Sequence, residues 1–186
     1  YFVTGGMPEA VDAYRRNTDK VSQAFAQVRQ VQKSLVEGYR SDFAKHAGKV
    51  NAVHINSVFE TIPARLAQAT DSSVGRFRFK GVVPNRSKFV QLQGPIDWLA
   101  GAGLVLKACL VEQPQIPLSA YAKNNMFKLY FFDVGLLGCV LDLPVPAILN
   151  QDYGSYKGFF AENFVAQELV AAGKAPLYFW QGHKSE

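Results

Sequence analysis

The stretch Phe127-Lys-Leu-Tyr-Phe-Phe-Asp-Val-Gly-Leu-Leu137 decides how the rest of this sequence is interpreted. Its first six residues are mostly aromatic or aliphatic and predict a strand over 127–132. The acid that follows, Asp133, is expected to hold a turn before Gly135. A second strand is predicted over 104–111, where branched apolar residues dominate. A long loop with two prolines, 113–117, then joins the two predicted strands.

Three helical stretches precede these strands. Apolar residues recur every three or four positions over 21–43 and again over 55–66, which predicts two amphipathic helices. A third helix is predicted over 87–102. Pro63 and Pro95 fall inside the second and third helices, and we expect them to bend or interrupt these helices.

The order of these elements predicts an α+β, mainly helical fold in three parts. Residues 1–50 form a helical segment. Residues 51–143 have the order of a winged helix-turn-helix, in which the third helix can enter the major groove of DNA. After two prolines, residues 144–186 are predicted to begin an α/β module, with a helix over 158–172 and a strand over 177–180.

The composition and the missing motifs exclude several functions. A hydrophobic content of 48% with 19% charged residues is typical of a globular protein. The most apolar stretch, 129–149, is broken by acids and prolines, so no membrane span is expected. We find no P-loop, dinucleotide fingerprint or C-x-x-C, and no histidine at ligand spacing, so we expect no cofactor or metal in this chain. Cys109 and Cys139 are expected to be buried free thiols, which suits a cytoplasmic protein.

Positive charge is concentrated in the middle of the chain. Residues 51–133 hold nine Lys and Arg against five Asp and Glu. Between Asp71 and Asp97 there is no acid, and the candidate nucleic-acid-binding residues lie there: Arg76, Arg78, Lys80, Arg86, Lys88 and Gln91. The cations suit DNA phosphates, and Gln91 suits phosphates or base edges. Alternatively, the cations are solvated or pair with acids of a neighbouring domain.

Five short motifs follow one another in a fixed order: Gly5-Gly6-Met7-Pro8-Glu9, Val58-Phe59-Glu60-Thr-Ile-Pro63-Ala-Arg-Leu66, Trp98-Leu99-x-x-Ala102-Gly103-Leu104-Val105, Asp133-Val-Gly-Leu-Leu137 and Gly158-Phe-Phe-Ala-Glu-Asn-Phe-Val-Ala-Gln-Glu-Leu169. Together they resemble the C-terminal domain of a large prokaryotic family of AAA-type P-loop ATPases, a domain without an established function. The resemblance implies that the chain is a piece of an ATP hydrolase and that 1–50 is a helical lid following the ATPase module. That module would be a partner of this chain, and ATP and Mg²⁺ would bind there.

The resemblance also implies that 144–186 begins a module similar to the PD-(D/E)xK, or restriction-endonuclease-like, fold. Glu162 matches its helix glutamate, and Glu186 matches the first acid of a later strand. The remaining acid and the lysine are expected beyond residue 186. Because Mg²⁺ needs several hard oxygen ligands, we expect no nuclease activity from this chain itself. The alternative for Glu162 is a helix-surface or capping role. The alternative for the whole chain is an interaction domain that packs on the ATPase module or another subunit.

Overall fold

Seven α-helices and three strands make up the described part of the chain, residues 1–68, 75–150 and 157–181 of a computed structural model. The helices are α1 (Pro8–Arg15), α2 (Val21–Ala47), α3 (Lys49–Ala67), α4 (Phe89–Gly101), α5 (Val134–Val140), α6 (Val145–Leu149) and α7 (Lys157–Ala171). The strands are β1 (Val105–Val111), β2 (Ala122–Phe131) and β3 (Leu177–Trp180). The fold is α+β and mainly helical, as the sequence predicts.

The long helices α2 and α3 pack together and cover the sheet. Phe43 of α2 contacts Phe59 of α3 with ring centroids 5.3 Å apart, and Phe59 contacts Phe131 of β2 at 5.0 Å. α3 runs through Pro63 and α4 runs through Pro95 without ending. Of the two outcomes expected at these prolines, a bend or an interruption, the interruption therefore does not occur. Burial of side chains on both sides of Pro63, Ile62 among them, offsets the hydrogen bond that a proline removes.

The three strands form one mixed sheet with the order β2-β1-β3. β1 and β2 are antiparallel, with Val105 opposite Phe131 and Cys109 opposite Phe127. The next pair is Leu110 with Lys123, so residues 124–126 of β2 have no partner in β1 and form a bulge. β3 lies parallel to β1 on its other side. The predicted strands at 104–111 and 177–180 correspond to β1 and β3, whereas the strand predicted at 127–132 covers only the second half of β2, which already begins at Ala122.

Elements from all three predicted parts share one apolar core. β3 pairs with β1, and α7 packs against β2 and α5. Buried members of the core come from each part: Val36, Phe59, Phe131, Phe160 and Leu177. The boundaries at residues 50 and 143, and the winged-helix assignment, stay predictions.

The segment that follows β2 is a helix, α5, instead of a simple turn. Asp133 precedes α5, and its Oδ1 accepts a hydrogen bond from the backbone N–H of Leu136 at 2.8 Å. Residues 134–139 are all buried, so packing stabilises this short helix despite its two glycines. The expected role of Asp133 in holding the chain is correct, but the structure that it begins is helical.

Candidate nucleic-acid interface

Residues 75–80, which we call the basic arm, lie beside β2 at the edge of the sheet. The backbone N–H of Phe77 donates to the carbonyl oxygen of Phe127 in β2 at 2.8 Å. Exposure alternates along the arm as it does in an extended chain, with the two phenylalanines half-buried and three cations exposed: Arg76, Arg78 and Lys80. The three cations therefore share the solvent side of the arm.

Aromatic packing holds the arm in place. Its two rings, Phe77 and Phe79, meet Phe127 of β2 with centroids 6.3 and 5.8 Å apart, and Phe79 also meets Phe89 of α4 at 5.7 Å. The Nζ of Lys107 lies 4.6 Å from the centre of the Phe127 ring on this cluster. Aromatic and cation–π contacts of this kind fix the backbone that carries the exposed cations.

Arg65 of α3 adds a further cation beside the arm. Its Nη2 donates to the carbonyl oxygen of Lys80 at 2.7 Å. Arg65 is not among the residues that the sequence predicts for this surface, because it lies 15 positions from Lys80 on a different element. Its place in the motif that runs from Val58 to Leu66 is the one sequence signal that it carries, and that motif does not predict contact with the arm.

The start of α4 uses two of the predicted site residues for its own stability. The side-chain oxygen of Gln91 accepts hydrogen bonds from the backbone N–H groups of Ser87 and Lys88 at 3.0 and 3.1 Å. Arg86 is half-buried, and its Nη1 donates to the backbone oxygen of Gln91 at 3.0 Å. Gln91 therefore caps the helix, and Arg86 braces its first turn. Lys88 is exposed.

Six cations have no acidic partner within 4.0 Å in the part of the chain that the structure describes: Arg65, Arg76, Arg78, Lys80, Arg86 and Lys88. The ion pairs found there within 4.0 Å involve other cations, such as Lys107 with Asp97 and Lys123 with Glu112. Burial lowers the pKa of His54 below its ordinary value, and the charge of Arg86 lowers it further.

Glu162 lies away from the arm, where α7 packs on β2. Its Oε1 accepts from the hydroxyl of Tyr130 at 2.5 Å and pairs with the Nζ of Lys128 at 2.7 Å. Burial raises the pKa of Tyr130, and the hydrogen bond to Glu162 raises it further. Glu186, the other nuclease-like position, lies outside the described residues. Glu162 therefore takes part in an ion pair and a hydrogen bond that join α7 to β2.

No group of three or more His, Cys, Asp or Glu side chains is placed to hold a metal ion within residues 1–68, 75–150 and 157–181. Over the same ranges, no helix is both long and apolar enough to cross a membrane.

Comparison with known proteins gives a family without a described activity. None of the curated proteins matches the chain significantly. None of the solved structures does either. Residues 1–147, most of the chain, match the family described as Domain of unknown function (DUF8612). The chain belongs to this DUF8612 family.

Proposed function

We propose that this chain binds nucleic acid, with DNA as the first candidate, through one basic surface. We define the basic surface as the exposed cations of the arm together with Arg65, which donates to the arm, and Lys88, which precedes Phe89 of α4: Arg65, Arg76, Arg78, Lys80 and Lys88. The observation that supports the proposal is that these cations are held on an anchored backbone without a carboxylate partner among the described residues. Phosphates are the anions that such a row of cations suits best.

The larger context of the proposal is an AAA-type ATPase. In such an ATPase, a winged-helix unit over 51–143 would hold DNA. An ATPase module elsewhere in the protein would bind ATP and Mg²⁺. The observed order of α2, α3, α4, β1 and β2 supports a winged helix, but α2 (Val21–Ala47) lies before residue 51, so a unit with three helices would begin before the boundary at residue 50. The basic surface lies on the segments around α4 and on the outer edge of β2.

Fluorescence anisotropy with a labelled DNA duplex of about two helical turns tests the proposal. We expect the logarithm of the association constant to fall linearly with the logarithm of the salt concentration, by about 0.9 for each neutralised phosphate. The double variant Arg76→Ala/Arg78→Ala is expected to weaken binding and to reduce this slope by about 2.

The matched control is Arg15→Ala/Lys174→Ala, which removes two exposed positive charges elsewhere. Its slope is expected to stay close to that of the wild type. Equal losses of affinity in both double variants would mean that binding depends on the net charge of the protein and not on the basic surface, which contradicts the proposal. Binding that is absent, or independent of salt, overturns the proposal.

A further inference from the structure

The bulge of β2, residues 124–126, lies directly beside the basic arm. The Nη1 of Arg76 is 3.4 Å from the Sδ of Met126 in that bulge. Asn124, Asn125 and Met126 are all exposed, whereas the residue that follows, Phe127, is buried and receives the hydrogen bond that holds the arm. The bulge thus brings two side-chain amides to the solvent at the end of a row of cations.

Helix α4 offers little for reading bases. Its 13 residues contain no Lys or Arg, and Gln91 already caps its start. Its most exposed large hydrophobic side chain is Val90, at 81%. Asp97, its only acid, pairs with Lys107 at 3.6 Å and would repel phosphates if that pair opened. The side chains that discriminate bases most strongly are forked donors and amides, and Gln93 is the one such residue left on the exposed face of α4.

We infer that Asn124 and Asn125 are neutral contacts to the nucleic-acid backbone, so that the ligand lies across the arm and the bulge instead of along α4. The inference rests on the proposed function. Amide side chains donate hydrogen bonds to phosphate and sugar oxygens without adding charge. A ligand held in this way is recognised by its backbone, and its base sequence has little influence on affinity.

Neutral and cationic contacts have different signatures in salt. An arginine that neutralises a phosphate releases counterions, so its loss changes the slope of affinity against salt. An asparagine that donates to the same backbone releases none. Its loss therefore lowers the affinity by a constant factor at every salt concentration.

The experiment measures anisotropy of several duplexes, equal in length and unrelated in sequence, over about 50–250 mM KCl. We expect Asn124→Ala/Asn125→Ala to bind about tenfold more weakly at every salt concentration with an unchanged slope, as the loss of two hydrogen bonds implies. Gln93→Ala on α4 is the matched control and is expected to bind as the wild type does. All duplexes are expected to bind alike.

Each other result contradicts the inference. Unchanged binding by Asn124→Ala/Asn125→Ala would show that the bulge does not contact the nucleic acid. Weaker binding by Gln93→Ala, or strong preference for one duplex, means that α4 reads bases; either overturns this inference and leaves the proposed function intact. A wild-type chain that binds none of the duplexes overturns both.

Discussion

Asp133 and Gly6 are joined by a hydrogen bond that spans 127 positions: the Oδ2 of the aspartate accepts from the backbone N–H of the glycine at 2.7 Å. The other carboxylate oxygen caps α5 through Leu136. Asp133 is only 2% exposed. Two of the motifs that carry the family resemblance, Gly5-Gly6 and Asp133-Val-Gly135, are therefore in contact with each other. The hydrogen bonds of Asp133 to Gly6 and to Leu136 thus give these two motifs a structural role: they hold the start of the chain against α5. We call this contact the Asp133 joint.

Asp133→Ala removes both hydrogen bonds at once. Two backbone N–H groups lose their acceptor in a buried place, and α5 loses its N-cap, so we expect the free energy of unfolding to fall by about 2–4 kcal/mol. Urea denaturation measures this change. Asp19→Ala is the control, because Asp19 is exposed, and it is expected to change stability by less than about 0.5 kcal/mol. Similar values for both variants would mean that the joint contributes little.

Gly135→Ala tests how closely the two motifs approach. A Cβ at Gly135 would lie 2.5 Å from the backbone nitrogen of Gly5 and 2.6 Å from the carbonyl carbon of Thr4. These are backbone atoms, which have no rotamer with which to move away. We expect a loss of about 2–4 kcal/mol in the free energy of unfolding.

The matched control for that variant is Gly38→Ala in α2. A Cβ there meets nothing within 4 Å, and alanine favours a helix over glycine by about 0.5–1 kcal/mol. The same substitution is thus expected to have opposite signs at the two positions. Denaturation curves that shift in the same direction would contradict the close approach.

The pH dependence of stability gives a further test of Asp133. Burial raises its pKa above the ordinary 3.8, although the backbone N–H groups of Gly6, Leu136 and Gly135 lower it. The folded protein therefore holds this proton to a higher pH than the unfolded chain does. The contribution of the residue to stability is largest below 3.8 and is lost as the pH rises through the folded pKa.

Asp133→Asn isolates that contribution, because asparagine does not titrate. The unfolding free energy of the wild type minus that of the variant is expected to decrease as the pH rises from about 4, and then to level off above the folded pKa. Chemical denaturation in a series of buffers gives this difference. A difference that increases with pH would place the folded pKa below its ordinary value.

Elements with a clear apolar period could be predicted from the sequence. The stripe over 21–43 corresponds to α2 (Val21–Ala47), and the stripe over 55–66 lies within α3 (Lys49–Ala67). α5 was not predicted, because six of its seven residues are buried and no polar face remains to mark a period. The turn residues around Asp133 were clear from the sequence, whereas the surroundings that make them helical are distant in the chain.

The basic surface could be predicted only in part. The alternation of Arg76, Arg78 and Lys80 with phenylalanines is visible in the sequence, but the packing of the arm on β2 is not. Arg65 joins the surface through a contact over 15 positions, and the bulge joins it through a contact over 50. The involvement of Gln91 in helix capping likewise depends on the loop that precedes α4.

Asn163 of α7 holds the end of β2 through its side-chain amide. Its side chain is fully buried in α7, with Oδ1 accepting from the backbone N–H of Phe131 at 2.7 Å and Nδ2 donating to the carbonyl oxygen of the same residue at 2.9 Å. The amide thus takes the place of a neighbouring strand at the end of β2. Only a group with one donor and one acceptor satisfies both backbone atoms.

Asn163→Asp preserves the size of the side chain and removes the donor. The ionised carboxylate accepts from the N–H of Phe131 but repels its carbonyl oxygen, so we expect the free energy of unfolding at neutral pH to fall by about 3 kcal/mol or more. Acidic buffer is expected to restore part of the loss, since a protonated carboxyl donates again. Asn51→Asp, on the exposed face of α3, is the control and is expected to be nearly neutral. Equal stability of the two variants would show that α7 does not depend on this amide to hold β2.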